Sequence, residues 1–254
     1  MSLIETIRHD GGIVELKLSR PPVNALNPEL CATLRAAIGS AVDDGADALV
    51  LSGGPKVFSA GLDVPHLLAL QDDADALCAA WETFFDAARA LAACPLPVAA
   101  AIAGHAPAGG CVLALCCDYR VMADGPFAIG LNETQVGIAI PPGILRLMQR
   151  VVGSRRAERL LVSGAMIPAG DAHAIGLVDE LTGIDEVVTR SVAWLHDLLQ
   201  LPRKAMLATR ALARADLVDA LSPESLQLEH FLREWHDPAT QQALREMVAR
   251  IGKG

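Results

Sequence analysis

Apolar and polar residues alternate near the start of the chain. The alternation covers residues 3–8 and 13–19, and Asp10-Gly11-Gly12 separates the two runs. Two alternating runs joined by a short glycine-containing turn predict a β-hairpin. Two shorter runs, 47–52 and 97–103, are largely apolar. These runs predict buried strands.

Helical spacing of apolar residues dominates the rest of the chain. Asn27 and Pro28 suit the N-cap and the first position of a helix that we expect to continue to about Asp43. Residues 65–93 are expected to be largely helical, with an apolar stripe that includes Trp81. Further helices are predicted at 111–117, 155–163, 169–176, 185–199, 203–214, 223–236 and 238–251, and one more strand at 177–181.

The order of these elements changes near residue 183. Strands and helices alternate before it, and only helices follow it, which predicts an α/β core at 1–183 and an α-helical region at 184–254. The last helices carry more apolar residues than one short layer would cover, so we expect them to pack against neighbouring subunits. These residues are Leu226, Leu228, Phe231, Leu232, Trp235, Leu244, Met247, Val248 and Ile251.

Composition narrows the possible partners. Hydrophobic residues make up 52% of the 254 residues and charged residues 20%, which is typical of a compact protein. The net charge of −9 and the lack of a basic patch argue against nucleic acid or a membrane as a partner. No apolar run reaches about eighteen residues and no leader is recognisable, so we expect a cytoplasmic protein.

The six cysteines form no C-x-x-C pair, and most lie in apolar surroundings. We therefore expect reduced, buried thiols rather than disulfides or thiolates. The seven histidines form no zinc-binding pattern with cysteine and no H-E-x-x-H, so no metal is predicted.

The main candidate catalytic residues lie in the range 102–142. The turn 104–110 follows a predicted strand and opens a helix, and its adjacent Gly109 and Gly110 allow a ligand to approach the backbone. Free N–H groups and the dipole at a helix start favour negative charge, which makes the turn a candidate oxyanion site. The spacing of neither phosphate-binding glycine motif is present.

Glu133 is the only acidic residue between Gly125 and Pro142, among mostly apolar neighbours. A carboxylate in such surroundings is expected to have a raised pKa, which suits proton transfer near neutrality. The alternative is a surface glutamate on a loop.

A second glycine turn lies at Ser59-Ala60-Gly61-Leu62-Asp63. Gly61 lets the backbone turn so that the N–H of Leu62 can face a ligand. Two glycine turns after two apolar strands are the arrangement that a two-donor oxyanion hole needs. Asp63 is expected to cap or brace the turn.

Four segments carry a resemblance to a known family: 58–63 (FSAGLD), 107–124 (PAGGCVLALCCDYRVMAD), 129–138 (IGLNETQVGI) and 157–181 (AERLLVSGAMIPAGDAHAIGLVDEL). The chain resembles the crotonase (enoyl-CoA hydratase/isomerase) superfamily. The LNETQ run is similar to its mitochondrial-type Δ3,Δ2-enoyl-CoA isomerase branch.

The resemblance implies a spiral of ββα units with a helical C-terminal region and an acyl-CoA thioester substrate. CoA would be part of the substrate, and no cofactor is implied. Glu133 would be the catalytic carboxylate, and the N–H groups of Leu62 and Gly109 would form the oxyanion hole. Substrate-binding positions would be Ser59, Ala60, Gly61, Asp63, Gly110 and Asn132. The family further implies fatty-acid β-oxidation and a homotrimer or a dimer of trimers.

One position departs from the hydratase pattern. Hydratases of the superfamily carry a second glutamate three residues after the Gly109 position, where this chain has Val112. Valine can neither hold nor deprotonate water, which favours isomerisation. The alternatives are a hydratase or another crotonase-fold enzyme, such as a dehalogenase or thioesterase, with Asp63, His66 or His105 as base. A non-catalytic acyl-CoA-binding protein is a further alternative.

Overall fold

A six-stranded mixed sheet forms the centre of the molecule. The computed structural model describes residues 2–251, with the side chain of Ile251 outside the description. Met1 and residues 252–254, which the sequence assigns to the core and to the helical region, also lie outside the described residues. In sheet order the strands are β1 (Ile4–Arg8), β2 (Ile13–Leu18), β3 (Ala48–Ser52), β4 (Val98–Ile102), β6 (Tyr119–Ala123) and β9 (Glu180–Thr182).

The pairing of these strands confirms the predicted hairpin and the two buried strands. β1 and β2 are antiparallel, and every other neighbouring pair of this sheet is parallel. Both β3 and β4 are buried along their whole length. Because parallel strands are covered on both faces, they have continuous apolar sequences rather than alternating ones.

A small second sheet was not predicted. It consists of β5 (Ala106–Pro107), β7 (Ala128–Gly130) and β8 (Ile167–Pro168), with β7 in the middle. Strands of two or three residues have no recognisable periodicity, so tertiary contacts determine them. The strand expected at 177–181 begins later, at Glu180.

Thirteen α-helices are found among residues 2–251. They are α1 (Pro28–Asp43), α2 (Val64–Ala69), α3 (Ala74–Ala92), α4 (Gly109–Leu115), α5 (Pro142–Val152), α6 (Ser154–Ser163), α7 (Ala169–Ala174), α8 (Val187–Leu199), α9 (Arg203–Ala213), α10 (Ala215–Ala220), α11 (Pro223–Leu226), α12 (Leu228–Trp235) and α13 (Pro238–Ile251). The side chain of Asn27 caps α1, as expected, by accepting from the N–H of Leu30 at 3.0 Å.

Two predicted helices are each divided into two. Residues 65–93 contain α2 and α3, because Asp73 starts a new helix by accepting from the N–H of Ala76. Residues 223–236 contain α11 and α12, separated by Gln227 in the left-handed conformation with φ 50°. No helix of the described part is long and apolar enough to cross a membrane.

The C-terminal helices cover this chain's own core, which corrects one expectation. Leu226, Leu228, Phe231, Trp235 and Leu244 are buried within the chain. Leu232 and Met247 pack against the same core, and Val248 is half-buried. These apolar residues therefore do not require a neighbouring subunit, since helices α12 and α13 fold back onto α3 and α2. The oligomeric state and the boundary at residue 183 remain predictions.

Asp118 ties the helical region to the sheet. Its carboxylate accepts from the N–H of Val98 at 2.8 Å, from Arg210 at 2.8 and 2.9 Å and from Arg214 at 2.9 Å. Arg214 is buried with 6% exposure. Removing the carboxylate would leave that guanidinium without its charged partner.

We predict that Asp118→Ala lowers the free energy of unfolding by roughly 3 to 5 kcal/mol, because an unpaired buried charge remains. Asp44→Ala is the matched control, since the Arg8–Asp44 pair is exposed on both sides. The control should change stability by less than about 1 kcal/mol. Urea unfolding measures both, and equal effects would contradict the assignment.

Candidate active site

Two loops meet beyond the carboxyl ends of β3 and β4. The N–H of His105 donates to the carbonyl of Lys56 at 3.0 Å, and the N–H of Phe58 donates to the carbonyl of His105 at 2.9 Å. These bonds make a short parallel bridge between Val57 and His105. The crevice outside the carboxyl ends of parallel strands is where α/β proteins bind ligands.

The glycines let these loops approach closely. A Cβ on Gly110 would lie 2.5 Å from the carbonyl oxygen of Ser59, and one on Gly61 would lie 2.9 Å from the Cβ of Ala108. Gly61 also has φ 81°, which side chains rarely adopt. Neither position therefore accommodates another residue without displacing the backbone opposite.

The N–H of Leu62 points away from the segment around Leu26, which lies beside it. Leu26 bridges to Leu62 by donating to the carbonyl of Gly61 at 2.8 Å and accepting from the N–H of Asp63 at 3.1 Å. The bridge thus uses the groups on either side of Leu62. Within residues 2–251, the N–H of Leu62 has no hydrogen-bond acceptor.

Gly109 supplies a second free donor. It is the first residue of α4, and the N–H groups in the first turn of a helix have no acceptor within the helix. Ala108 before it has φ 47° and ψ −121°, a strained conformation for a residue with a side chain. No acceptor for the Gly109 N–H is found in the described part of the chain. The two free N–H groups are those expected to form the oxyanion hole.

The segments that contain Leu62 and Gly109 both line a mostly apolar cavity of about 420 Å³. Helices α3, α5, α12 and α13 complete its wall. Its lining residues are Val23, Ala25, Ala60, Leu62, Asp63, Val64, Pro65, Leu67, Trp81, Phe84, Phe85, Pro107, Ala108, Gly109, Val112, Asn132, Glu133, Val136, Ile138, Pro141, Ile144, Phe231, Trp235 and Met247.

Glu133 lies on the wall of this cavity, at the start of a 3-10 turn, Glu133–Val136. The residue as a whole is partly exposed, but its Oε2 atom is buried and has no hydrogen-bond partner within residues 2–251. Loss of hydration raises the pKa of Glu133 from its ordinary 4.5 to about 7, although its own backbone N–H partly offsets this. Burial of the carboxylate removes the surface-loop alternative.

The remaining predicted site residues divide into two groups. Ala60, Asp63 and Asn132 line the cavity. Ser59, Gly61 and Gly110 lie behind the lining and shape the backbone instead, and the Ser59 hydroxyl donates to the carbonyl of Asn24 at 2.8 Å. The sequence did not distinguish these two roles.

The other candidate bases have structural partners or lie away from the cavity. Asp63 accepts from Arg20 at 2.8 Å and from the N–H of His66 at 3.1 Å, which confirms its role as a cap and brace. Nδ1 of His105 accepts from the N–H of Ala128 at 3.1 Å. Neither His66 nor His105 lines the cavity.

Sequence analysis missed that α12 contributes to an aromatic wall of this cavity. Trp81 of α3 contacts Phe231 and Trp235 of α12 edge-to-face, with ring centroids 4.5 and 5.5 Å apart. The aromatic spacing in both helices was visible, but a helical stripe does not reveal its packing partner.

Val112 lines the same cavity as Glu133 and is 2% exposed. All six cysteines are free, and five of them are buried. Among residues 2–251, no three His, Cys, Asp or Glu side chains form a group that could hold a metal ion.

The fold is a mixed sheet with flanking helices. Two free N–H groups and a buried carboxylate lie on one apolar cavity, an arrangement typical of the active site of an α/β enzyme. Residues 8–246 match the family described as enoyl-CoA hydratase/isomerase. The human mitochondrial enoyl-CoA delta isomerase 1 is 30% identical over 94% of this chain and 80% of its own length. A probable enoyl-CoA hydratase of Mycobacterium avium is 37% identical over 80% of this chain and 78% of its own.

Solved structures agree with this match. The human mitochondrial Δ3-Δ2-enoyl-CoA isomerase superposes with a TM-score of 0.91 at 28% identity, covering 99% of both chains. The chain therefore belongs to the enoyl-CoA hydratase/isomerase family and has the crotonase fold. These relatives include both isomerases and a probable hydratase. Membership of the family therefore does not decide between the two reactions, and the residues of the site have to distinguish them.

The pKa of Glu133 predicts a pH-dependent stability. The native state keeps this proton up to about pH 7, whereas the unfolded chain releases it near 4.5. Stability is therefore lost as pH rises between these values. Glu133→Gln removes the effect, so its stability relative to the parent should increase by at most roughly 2 to 3 kcal/mol between pH 5 and pH 8.

Urea unfolding of both proteins at each pH measures this change. Glu158→Gln, at an exposed position, is the control and should show no such change. A constant difference between Glu133→Gln and the parent would mean that the carboxylate is hydrated in the native state.

Proposed function

We propose that this protein is a Δ3,Δ2-enoyl-CoA isomerase, which converts a 3-enoyl-CoA into the 2-trans-enoyl-CoA. One observation carries the proposal. Within residues 2–251, Glu133 is a carboxylate without a charged partner, it shares an apolar cavity with two unpaired N–H donors, and Val112 occupies the position of a second carboxylate. The substrate would be an acyl-CoA thioester of fatty-acid β-oxidation, whose CoA makes a separate cofactor unnecessary.

The reaction needs a proton removed from C2 and a proton returned to C4. Glu133 takes the C2 proton, and the electron pair moves into a dienolate whose negative charge lies on the thioester oxygen. The N–H groups of Leu62 and Gly109 donate to that oxygen, each contributing roughly 3 to 4 kcal/mol. The protonated Glu133 then gives its proton to C4, and the conjugated product forms.

A pKa of about 7 suits one group that performs both steps. A carboxyl group with this pKa is deprotonated often enough to accept a proton near neutrality and acidic enough to return it. The apolar wall supports both steps, because it keeps water away from the carboxylate and from the dienolate.

Hydration makes a further demand, since a water molecule must be held and deprotonated. The side chain of Val112 offers no hydrogen bond, and Asp63 is already paired with Arg20. The 37% identical probable hydratase nevertheless keeps hydration as the second candidate. A non-catalytic acyl-CoA-binding protein would gain nothing from a buried carboxylate without a partner.

Activity assays of the unmutated parent protein distinguish isomerase, hydratase and non-catalytic binding protein. With a 3-enoyl-CoA we expect the absorbance of the conjugated 2-enoyl thioester to appear. With a 2-enoyl-CoA we expect little 3-hydroxyacyl-CoA, at a rate lower by orders of magnitude, although the oxyanion hole permits residual hydration. Hydration with a kcat/KM equal to or above that of isomerisation would overturn the proposal. Tight acyl-CoA binding without turnover would favour the binding protein.

Glu133→Gln tests the base directly. Its kcat for isomerisation should fall by about 10²- to 10⁴-fold, the range of a general acid–base group. Binding of a saturated acyl-CoA should be unchanged, because the amide has nearly the same shape. In the parent, kcat/KM should rise with pH to a plateau with a midpoint near 7, since this ratio reports the ionisation of the base in the free enzyme. Glu158→Gln serves as control, and near-parental turnover of Glu133→Gln would exclude this residue as the base.

We further propose a homotrimer or a dimer of trimers. Its support is the family match alone, because the apolar faces of α12 and α13 are covered within the chain.

A further inference from the structure

Among the residues that the structure describes, no side chain forms a hydrogen bond that orients the carboxylate of Glu133. Its Oε2 atom has no partner within residues 2–251, and the hydrogen bond that lowers its pKa comes from its own backbone. A catalytic group is usually held by a neighbouring hydrogen-bonding side chain. Here the position of the carboxylate depends on the backbone turn that carries it.

That turn is closed by its own backbone. The N–H of Ile138 donates to the carbonyl of Glu133 at 3.0 Å, and the N–H of Gln135 donates to the carbonyl of Asn132 at 3.0 Å. Gly137 ends the turn in the left-handed conformation with φ 77°. A turn this short is stable only when its surroundings hold it.

Two threonine hydroxyls attach the turn to separate helices. Thr134 Oγ1 donates to the carbonyl of Leu161, near the end of α6, at 2.7 Å. Thr240 Oγ1, in the first turn of α13, donates to the carbonyl of Gly137 at 2.8 Å. The first bond holds the start of the turn and the second holds its end. In the second bond, the two residues are about one hundred positions apart in the sequence.

Packing strengthens the contact with α13. A Cβ on Gly137 would lie 3.1 Å from the Cβ of Ala243 and 3.4 Å from the Cα of Thr240, so the helix rests directly on the turn. Helix α13 is itself fixed, because Arg245 donates to Gln71 at 2.8 Å and Leu244 is fully buried. Met247 of the same helix lines the cavity.

We propose that Thr240 is a positioning residue for Glu133, and that α13 supports the catalytic turn through the Thr240–Gly137 hydrogen bond. Thr134 has the same role from the side of α6. The inference rests on the proposed function, since it assigns Glu133 the proton transfers. It adds a part for the C-terminal helix, which holds the turn as well as lining the cavity.

Thr240→Val tests the proposal, because valine keeps the shape and removes the hydroxyl. We expect kcat for a 3-enoyl-CoA to fall about tenfold with KM within about twofold, since a displacement of 1 Å can cost up to about 100-fold. Thr240→Ser retains a hydroxyl and should restore kcat. Thr33→Val is the matched control, because the Thr33 hydroxyl donates to the carbonyl of Glu29 at 2.7 Å on an exposed face of α1.

A second measurement does not depend on turnover. The pKa of Glu133 can be followed by ¹³C NMR of labelled glutamate, with Glu133→Gln identifying the signal. If the turn loosens, the carboxylate gains hydration and its pKa should fall from about 7 toward 4.5 in Thr240→Val. The charge of Glu133 also acts on the nearby thiol of Cys111, but burial is the main cause that raises the pKa of Cys111, so this thiol stays neutral.

The outcomes separate the two proposals. A lower kcat and a lower Glu133 pKa in Thr240→Val, both restored in Thr240→Ser, support the positioning role. An unchanged pKa and kcat, even with a lower melting temperature, overturn it. A parent without isomerase activity, combined with a pKa shift in Thr240→Val, would contradict the proposed function and leave the positioning role standing. Should Thr240→Val not fold, Thr134→Val provides the same comparison from the side of α6.

Discussion

The site depends on a backbone contact between two loops. The bridge between Val57 and His105 holds the loop after β3 against the loop after β4. Backbone hydrogen bonds and glycines without room for a Cβ fix the distance between these loops. In the proposed reaction the donors are backbone N–H groups in fixed loops, which need no reorganisation when charge develops on a bound oxygen. The strain at Ala108 is localised where one of these donors is presented.

The two carboxylates on the cavity wall have opposite surroundings. Asp63 is paired with Arg20 and caps α2. In the described part of the chain Glu133 has no charged partner, and burial is the main cause of its raised pKa. The difference assigns the first a structural role and makes the second available for chemistry. Burying such a group destabilises the fold, and this cost is tolerated at sites where a shifted pKa is useful.

Local signals in the sequence predicted much of this arrangement. Asn27 caps a helix, Asp10-Gly11-Gly12 joins a hairpin, and both glycine turns follow buried strands, because each feature depends on neighbours in the chain. The sequence marked Glu133 as a lone acid in an apolar segment, which is uncommon, but only the resemblance of the LNETQ run to the isomerase branch made it the candidate base. Its burial, however, depends on α13 and α12, which are about one hundred residues away in sequence.

Features that depend on distant contacts could not be predicted. The stripe with Phe231 and Trp235 showed that α12 has a buried face, but the sequence did not show that the face covers this chain's own cavity. Apolar patterning specifies that a surface is buried and leaves its partner open. The separation of Ser59 and Gly110, which shape the backbone, from Ala60, which lines the cavity, likewise depends on the three-dimensional course of two loops.

A single carboxylate is also consistent with the electrostatics of the cavity. A second acid at Val112 would lie on the same apolar wall, where two like charges raise each other's pKa. Such a pair would hold a shared proton and a water molecule, which serves addition of water to a double bond. A lone carboxylate with a pKa of about 7 is close to equal populations of its two protonation states at neutral pH. It can therefore accept a proton from one carbon and return it to another with little bias, which is the requirement of an isomerisation whose substrate and product are both thioesters.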